Sequence, residues 1–193
     1  MEQAPERKMQ IQRNTYTMNH EAYMGLALEQ AAAAAARGEF PVGCVIIQNG
    51  QVMARGARYG TSPDRSLVSE VDHAEIRALR NLDICQQAVV PQNCTLFCTM
   101  EPCLMCFGAI LLAGLGTIVY AFEDPMGGGT CCDLRSLTPL YRDSRVQVIS
   151  GICRQKSLDL FYNFFNKEEN RYWKNSFLEA YVRKQYRLPK ENK

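Results

Sequence analysis

The residues with the strongest potential for chemistry are a histidine and two cysteines at the predicted starts of two helices. Residues 73–75 read His-Ala-Glu, and residues 102–106 read Pro-Cys-Leu-Met-Cys. Because Cys103 and Cys106 are three positions apart, they lie on neighbouring helical turns and both sulfur atoms can reach one ion. The amide groups exposed at a helix start favour the thiolate, which is the form of cysteine that binds metal. Together with a nitrogen from His73, this donor set is typical of a catalytic zinc that keeps a fourth position for water.

Glu75 follows His73 by two positions and is predicted to project near the metal without sharing the direction of its ligand. A carboxylate in that place can take a proton from the water and hand it to a leaving nitrogen. His-x-Glu paired with Pro-Cys-x-x-Cys is the signature of zinc deaminases, in which the glutamate is a proton shuttle and not a ligand. Either motif alone is weak, but the two together predict a catalytic zinc.

From about residue 23 to residue 165 the sequence resembles the cytidine deaminase superfamily, and most closely its tRNA-specific adenosine deaminase branch. The matching segments are residues 40–43 (Phe-Pro-Val-Gly), 73–79, 95–96, 101–103, 105–106, 108–109 and 164–165. This resemblance implies an α/β fold, a three-layer α/β/α sandwich with a five-stranded mixed sheet whose fourth and fifth strands are parallel. It also implies Zn²⁺ as the cofactor and a homodimer.

The resemblance further assigns roles to residues around the predicted metal. It implies that Pro41 and Val42 line the base pocket and that Glu101 braces the loop carrying the cysteines. It places an oxyanion-type contact at a backbone amide near Cys103.

Two departures from the branch lie on the predicted substrate side. Members usually carry an asparagine at the end of the second strand, which holds the ribose, whereas residues 54–58 here read Ala-Arg-Gly-Ala-Arg. Arg58 is therefore a candidate for substrate binding. The loop before His73 is longer than usual and ends in Asp72, which is either a solvated acid or a partner for a donor on the substrate. Both departures leave the chemistry intact and leave the substrate open.

Hydrophobic periodicity and turn signals predict the elements that must position these residues. The sequence favours a central sheet with helices on both faces. About two dozen residues separate the fourth and fifth strands, enough for the crossover that a parallel pair needs. The predicted elements are a helix over 19–37, strands over 41–48 and 52–56 joined by Asn49-Gly50, a helix over 73–82, a strand over 95–100, a helix over 102–113, a strand over 117–122, a short helix near 134–141, a strand over 146–150, and helices over 157–165 and 171–187.

The composition is that of one globular domain with short extensions. Hydrophobic residues make up 47% and charged residues 22% of the 193 positions, and no apolar run is long enough to cross a bilayer. Nine cysteines without a secretory type of N-terminus predict reduced thiols and metal ligands in the cytoplasm. We predict an N-terminal extension over 1–18, a deaminase domain over 19–166 and a basic aromatic helix over 167–193. The three glycines at 127–129 predict a flexible loop near the mouth of the site.

The C-terminal segment carries eight basic and four acidic residues over 167–193. It can meet RNA phosphates or pack on its own domain, and the stripe formed by Trp173, Phe177, Leu178 and Tyr181 favours packing.

Three functions stay open from the sequence. The first is deamination of adenosine to inosine in tRNA, and the second is deamination of a free nucleobase or nucleoside of the guanine or cytosine type. The third is a non-catalytic zinc-binding or nucleic-acid-binding module, which the intact Glu75 disfavours.

Overall fold

A computed structural model describes residues 6–62, 64 and 68–188, with side chains from residue 20 onward. The start of the predicted extension, part of the loop before His73 and the last five residues of the tail therefore lie outside the described residues. The elements are α1 (Glu6–Ala36), β1 (Gly43–Gln48), β2 (Gln51–Ala57), α2 (Ala74–Asp83), β3 (Cys94–Met100), α3 (Leu104–Ala113), β4 (Thr117–Phe122), α4 (Pro139–Arg142), β5 (Gln147–Ser150), α5 (Arg154–Phe165) and α6 (Phe177–Arg187).

The five strands form one mixed sheet in the order β2-β1-β3-β4-β5. Strand β1 is antiparallel to β2 and β3, whereas β3, β4 and β5 run parallel. The hairpin turn has φ values of 51° at Asn49 and 81° at Gly50, the two left-handed positions that its sequence predicts. The predicted fold class and its parallel fourth and fifth strands are confirmed.

Helices cover both faces of the sheet because the central strands are apolar on both sides. On one face, Met24 and Ala27 of α1 pack against Val45, Phe97 and Val119. On the other face, apolar residues of α2, α3, α5 and α6 pack with the alternate residues of the strands, including Ile46, Leu96 and Ile118. Within the described part of the chain, no helix is both long and apolar enough to cross a membrane.

Helix α1 and the C-terminal helix differ from their predicted bounds. Helix α1 begins at Glu6, well before the predicted start. Helix α6 begins at Phe177 because Trp173 and Asn175 have φ values of 55° and 62°, which interrupt any helix running from residue 171. Ser176 then caps α6 by accepting a hydrogen bond from the Glu179 amide over 3.1 Å. The division into an extension, a domain and a tail stays a prediction.

The C-terminal helix packs on the domain through part of the predicted stripe, Leu178 and Tyr181, together with Val182. Leu178 and Val182 are buried at 2% and 0% exposure, whereas Trp173 and Phe177 are 38% and 62% exposed. The prediction that Trp173 and Phe177 provide the packing was wrong. Because the helix starts six residues later, its buried face is turned onto the leucine and the valine.

Candidate active site

The predicted metal ligands meet where two helices begin. His73 is the N-cap residue of α2, and Cys103 is the N-cap residue of α3. Cys106 lies in the first turn of α3 and is fully buried. The His73 Nδ1 atom is 3.6 Å from the Cys103 sulfur and 3.4 Å from the Cys106 sulfur. One ligand atom from each residue lies within 4.8 Å of the other two, so the group can hold one metal ion.

The close approach of α2 to the sheet depends on a glycine. A Cβ atom at Gly56 in β2 would lie 2.0 Å from the Ala74 carbonyl oxygen and 2.6 Å from the Ala78 nitrogen. Any larger residue at that position would push α2 away from β2. Gly56 therefore lets the first turn of α2, with His73 and Glu75, lie against the strand.

The electrostatics of the cysteine pair favour metal binding. The pKa of the Cys103 thiol is lowered to about 4, chiefly because the Cys106 thiol donates a hydrogen bond to its sulfur, with His73 adding to the effect. The same hydrogen bond, together with burial, raises the pKa of the Cys106 thiol. One sulfur is thus a thiolate ready to bind a cation, and the donor set of one nitrogen and two sulfurs fits zinc.

Glu75 sits beside this cluster with an unsatisfied carboxylate. Its side chain is buried at 3% exposure, and its Oε2 atom has no hydrogen-bond partner among the described residues. Burial raises the pKa of the carboxyl group, and the neighbouring His73 only partly opposes this. A buried polar atom without a partner is costly, so this oxygen is positioned for a group that enters the site.

The cluster and Glu75 open into one small cavity of about 60 Å³. Val42 and Arg58 line it as predicted for substrate-side residues, whereas Pro41 is buried without lining it and Phe40 occupies that wall. Its walls are formed by Phe40, Val42, Arg58, His73, Ala74, Glu75, Met100, Glu101, Cys103, Asp124, Tyr172, Trp173 and Leu178.

Known proteins share this combination of fold and site. Residues 17–122 match the family described as the cytidine and deoxycytidylate deaminase zinc-binding region. The chain belongs to this family. It is a zinc-dependent deaminase, and the group formed by His73, Cys103 and Cys106 has the donor chemistry to hold the zinc.

Several relatives have specific activities in their names. The tRNA-specific adenosine deaminase of Streptococcus pyogenes serotype M18 (strain MGAS8232) is 30% identical over 157 residues, which cover 81% of this chain and 96% of that protein. A structure solved in work on A-to-I editing by tRNA:A34 deaminases at the wobble position is 33% identical. It has a TM-score of 0.55 and covers 67% of this chain and 97% of that one. A guanine deaminase structure from Nitrosomonas europaea is 25% identical, with a TM-score of 0.56 over 75% of this chain and 83% of that one.

Arg58 is the most unusual residue in the cavity of this deaminase. Its side chain is 3% exposed, and its Nη1 atom is buried without a partner among the described residues. The Nη2 atom donates to the Ser69 carbonyl oxygen over 2.8 Å and to the Tyr172 hydroxyl over 3.3 Å. The carboxylate of Glu70 lies 3.6 Å from Nη2. These contacts fix the guanidinium through Nη2 and leave Nη1 without a partner among the described residues.

Asp72 is placed outside the cavity. Its carboxylate oxygen accepts a hydrogen bond from the Arg77 guanidinium over 3.0 Å, and Arg80 lies 4.0 Å from the other oxygen. Because these arginines already engage the carboxylate, the contact of Asp72 with substrate stays a prediction.

The glycine run of the deaminase is packed tightly against the cysteine loop. Gly128 forms an isolated β-bridge with Cys103, and the Gly129 amide donates to the Pro102 carbonyl oxygen over 2.9 Å. A Cβ atom at Gly128 would lie 2.5 Å from the Glu101 carboxylate, and one at Gly129 would lie 2.6 Å from the Leu104 backbone. Gly128 and Gly129 are needed for these close contacts, and the flexibility of the loop stays a prediction.

Glu101 braces both sides of this contact. Its Oε2 atom accepts a hydrogen bond from the Asp124 amide over 3.2 Å, and its Oε1 atom accepts from the Thr130 amide over 3.3 Å and from the Thr130 hydroxyl. The carboxylate therefore ties the segment after β4 to the loop that carries the cysteines, and the bracing role implied by the resemblance has a direct geometric basis.

The segment before α6 also lines the cavity. Its place in the site was not predicted from the sequence. Tyr172 and Trp173 line the cavity, and the Tyr172 hydroxyl donates to the Glu70 carboxylate over 2.9 Å. Phe40 and Tyr172 have ring centroids 5.4 Å apart. Two adjacent aromatic residues in a basic tail were the available signal, but only tertiary contacts reveal that they reach the site.

Proposed function

We propose that this protein catalyses hydrolytic deamination of adenosine to inosine in tRNA, with zinc held by His73, Cys103 and Cys106. The observation that carries the proposal is the unpartnered, buried carboxylate oxygen of Glu75, which lines the same cavity as His73 and Cys103 of the three-ligand cluster. A structural zinc needs a closed set of four ligands, whereas a catalytic one keeps a position open. Three donors and an adjacent proton carrier fit the catalytic kind.

In this proposal Glu75 carries protons between water and the base. Zinc, when bound, lowers the pKa of a water molecule from 15.7 to about 7. Glu75 accepts one proton from the attacking water and delivers it to the ring nitrogen. It then accepts the remaining proton from the hydroxyl added to the ring carbon and delivers it to the amino group. That group leaves as ammonia, and the ring keeps the oxygen. Burial raises the pKa of the Glu75 carboxyl, and a raised pKa moves a carboxyl toward the operating pH at which a general acid and base works best.

The tRNA substrate rests on the relatives, two of which are described as acting on adenosine in tRNA. The apolar walls formed by Phe40, Val42 and Met100 suit a flipped-out base, which such enzymes bind between apolar side chains. The test is inosine formation in a synthetic anticodon stem-loop with adenosine at the wobble position. Appearance of inosine with wild-type enzyme and its loss with Glu75→Gln are expected.

Deamination of a free base of the guanine type is a second candidate, and Arg58 is the observation that favours it. A guanidinium donates well to the carbonyl oxygen and ring nitrogen of guanine, and Arg58 holds a buried unpartnered nitrogen in the cavity. Tyr172 and Trp173 also narrow the entrance. Ammonia release from free bases, nucleosides and the stem-loop, measured on protein of known zinc content, decides between the candidates. Turnover of guanine without any inosine in the stem-loop would replace the first candidate by the second.

We also propose that the protein is a homodimer in the cytoplasm. Leu104 and Leu112 of α3 and Leu140 of α4 are 64%, 60% and 66% exposed. Such a large apolar surface fits the interface with a second copy of this chain. Light scattering after gel filtration is expected to give twice the monomer mass.

The cysteines support the cytoplasmic location. None of the nine cysteines forms a disulfide, which suits a reducing compartment.

A further inference from the structure

A second groove lies beside the catalytic cavity and is lined by three arginines. It has a volume of about 440 Å³ and is formed by the end of α1, by β2 and by α2. Arg37, Arg55 and Arg77 line it together with Tyr59 and Asn81. Each arginine comes from a different part of the chain, so the folded protein brings the three charges together.

Two of these arginines have no counter-charge in the described structure. Arg37 and Arg55 are exposed and form no ion pair with any described residue. The guanidinium of Arg77 lies 5.1 Å from the centroid of the Tyr59 ring. Arg77 and Arg80 both approach the carboxylate of Asp72, and neither Asp72 nor Arg80 lines the groove. The groove therefore carries an excess of positive charge, which attracts an anion.

The groove and the catalytic cavity are lined by neighbouring residues of the same two parts of the chain. On β2, Ala57 lines the groove and the next residue, Arg58, lines the cavity. On α2, Glu75 faces the cavity and Arg77, two residues later, faces the groove. An RNA strand whose base enters the cavity must place the phosphates on either side of that base on the protein surface around the cavity.

We propose that this arginine groove binds the phosphate backbone of the RNA strand whose base enters the cavity. The inference rests on the proposed tRNA substrate and adds the path of the strand over the protein surface. Arginine is suited to this role because its planar guanidinium forms paired hydrogen bonds with phosphate oxygens.

The test is the salt dependence of RNA binding by the zinc-loaded enzyme. The double variant Arg37→Gln/Arg55→Gln removes two charges that have no described partner. The matched control Arg135→Gln/Arg145→Gln removes two exposed arginines near β5, at the opposite edge of the sheet. Binding of the fluorescent anticodon stem-loop is measured by anisotropy between 50 and 200 mM salt, and ammonia release from the free base, nucleoside and nucleoside 5′-monophosphate is measured alongside.

Each lost phosphate contact reduces the slope of log K against log salt by roughly 0.7 for a single strand. Raising the salt from 50 to 200 mM is therefore expected to weaken RNA binding by the groove variant by a factor that is about sevenfold smaller than for the wild type. The control variant is expected to keep the wild-type slope. Kinetics on the free nucleoside report whether the groove variant still has an intact catalytic cavity.

Three results would overturn the proposal. If the wild type deaminates the stem-loop and the groove variant keeps its salt slope, the strand lies elsewhere and the tRNA function stands. If the wild type releases ammonia from a free base and neither binds nor deaminates RNA, the proposed function itself fails. If the variant changes only the KM for the monophosphate, the groove binds a small phosphate ligand and not RNA.

Discussion

Replacing Gly129 by alanine tests whether the glycine run sets the position of the metal ligands. The added Cβ would lie 2.6 Å from the Leu104 nitrogen and Cα atoms and 2.8 Å from the Cys103 carbonyl carbon. All of these are backbone atoms, so the cysteine loop itself must move. Overpacking of this kind costs about 1–3 kcal/mol, and each kcal/mol lowers Tm by about 2–4 °C in a chain of this length. Zinc affinity is expected to fall as well, by about 10- to 100-fold as for other supporting residues around metal sites.

Gly127→Ala is the matched control for this experiment. A Cβ atom there would lie 3.0 Å from the Asp124 carboxylate, the end of a side chain that can shift. Thermal unfolding and competition with a zinc chelator are measured for both variants, each with and without zinc. Equal Tm values and equal zinc affinities for the two variants would refute the idea that close packing at Gly129 positions Cys103.

Three further predictions concern the ligand, the proton carrier and the C-terminal wall. Cys103→Ala is expected to lose stoichiometric zinc by metal analysis, and full retention would contradict its role as a ligand. Glu75→Gln is expected to keep zinc and to lose turnover by about 10²- to 10⁴-fold, and turnover within about threefold of the wild type would exclude proton transfer as its role. Removing residues 170–193 exposes the apolar surface that Leu178 and Val182 cover. It is expected to lower Tm and to alter activity on a free nucleoside, and unchanged values for both would contradict the packing role.

The metal cluster could be predicted because its information is local in sequence. His73 and Cys103 each begin a helix, and Cys106 follows on the next turn of α3. Helix starts are recognisable from short patterns, and the thiolate chemistry follows from the residue types. The parallel pair of β4 and β5 was predictable for a similar reason, because the length of the connection excludes a hairpin.

The walls of the cavity could not be predicted in the same way because they combine segments far apart in sequence. Residues 171–187 have the composition of one amphipathic helix, but the left-handed backbone at Trp173 and Asn175 ends that pattern and turns the aromatic pair toward the cavity. The close contacts of the glycine run could not be predicted because glycine permits both flexibility and close backbone contact, and the sequence does not distinguish between them. Only the distances to Leu104 and Glu101 do so.

Arg58 shows how a departure from a family pattern gains meaning from the fold. In the sequence, residues 54–58 lack the asparagine that usually holds the ribose in the branch that the chain resembles. In the folded chain, Arg58 directly follows β2, and its guanidinium donates hydrogen bonds to the Ser69 carbonyl oxygen and the Tyr172 hydroxyl. Burying a charge with an unpartnered nitrogen is costly, and we propose that an acceptor on the substrate offsets this cost. The same tyrosine binds Glu70 of the loop before His73, so substrate choice and the C-terminal wall depend on one set of contacts.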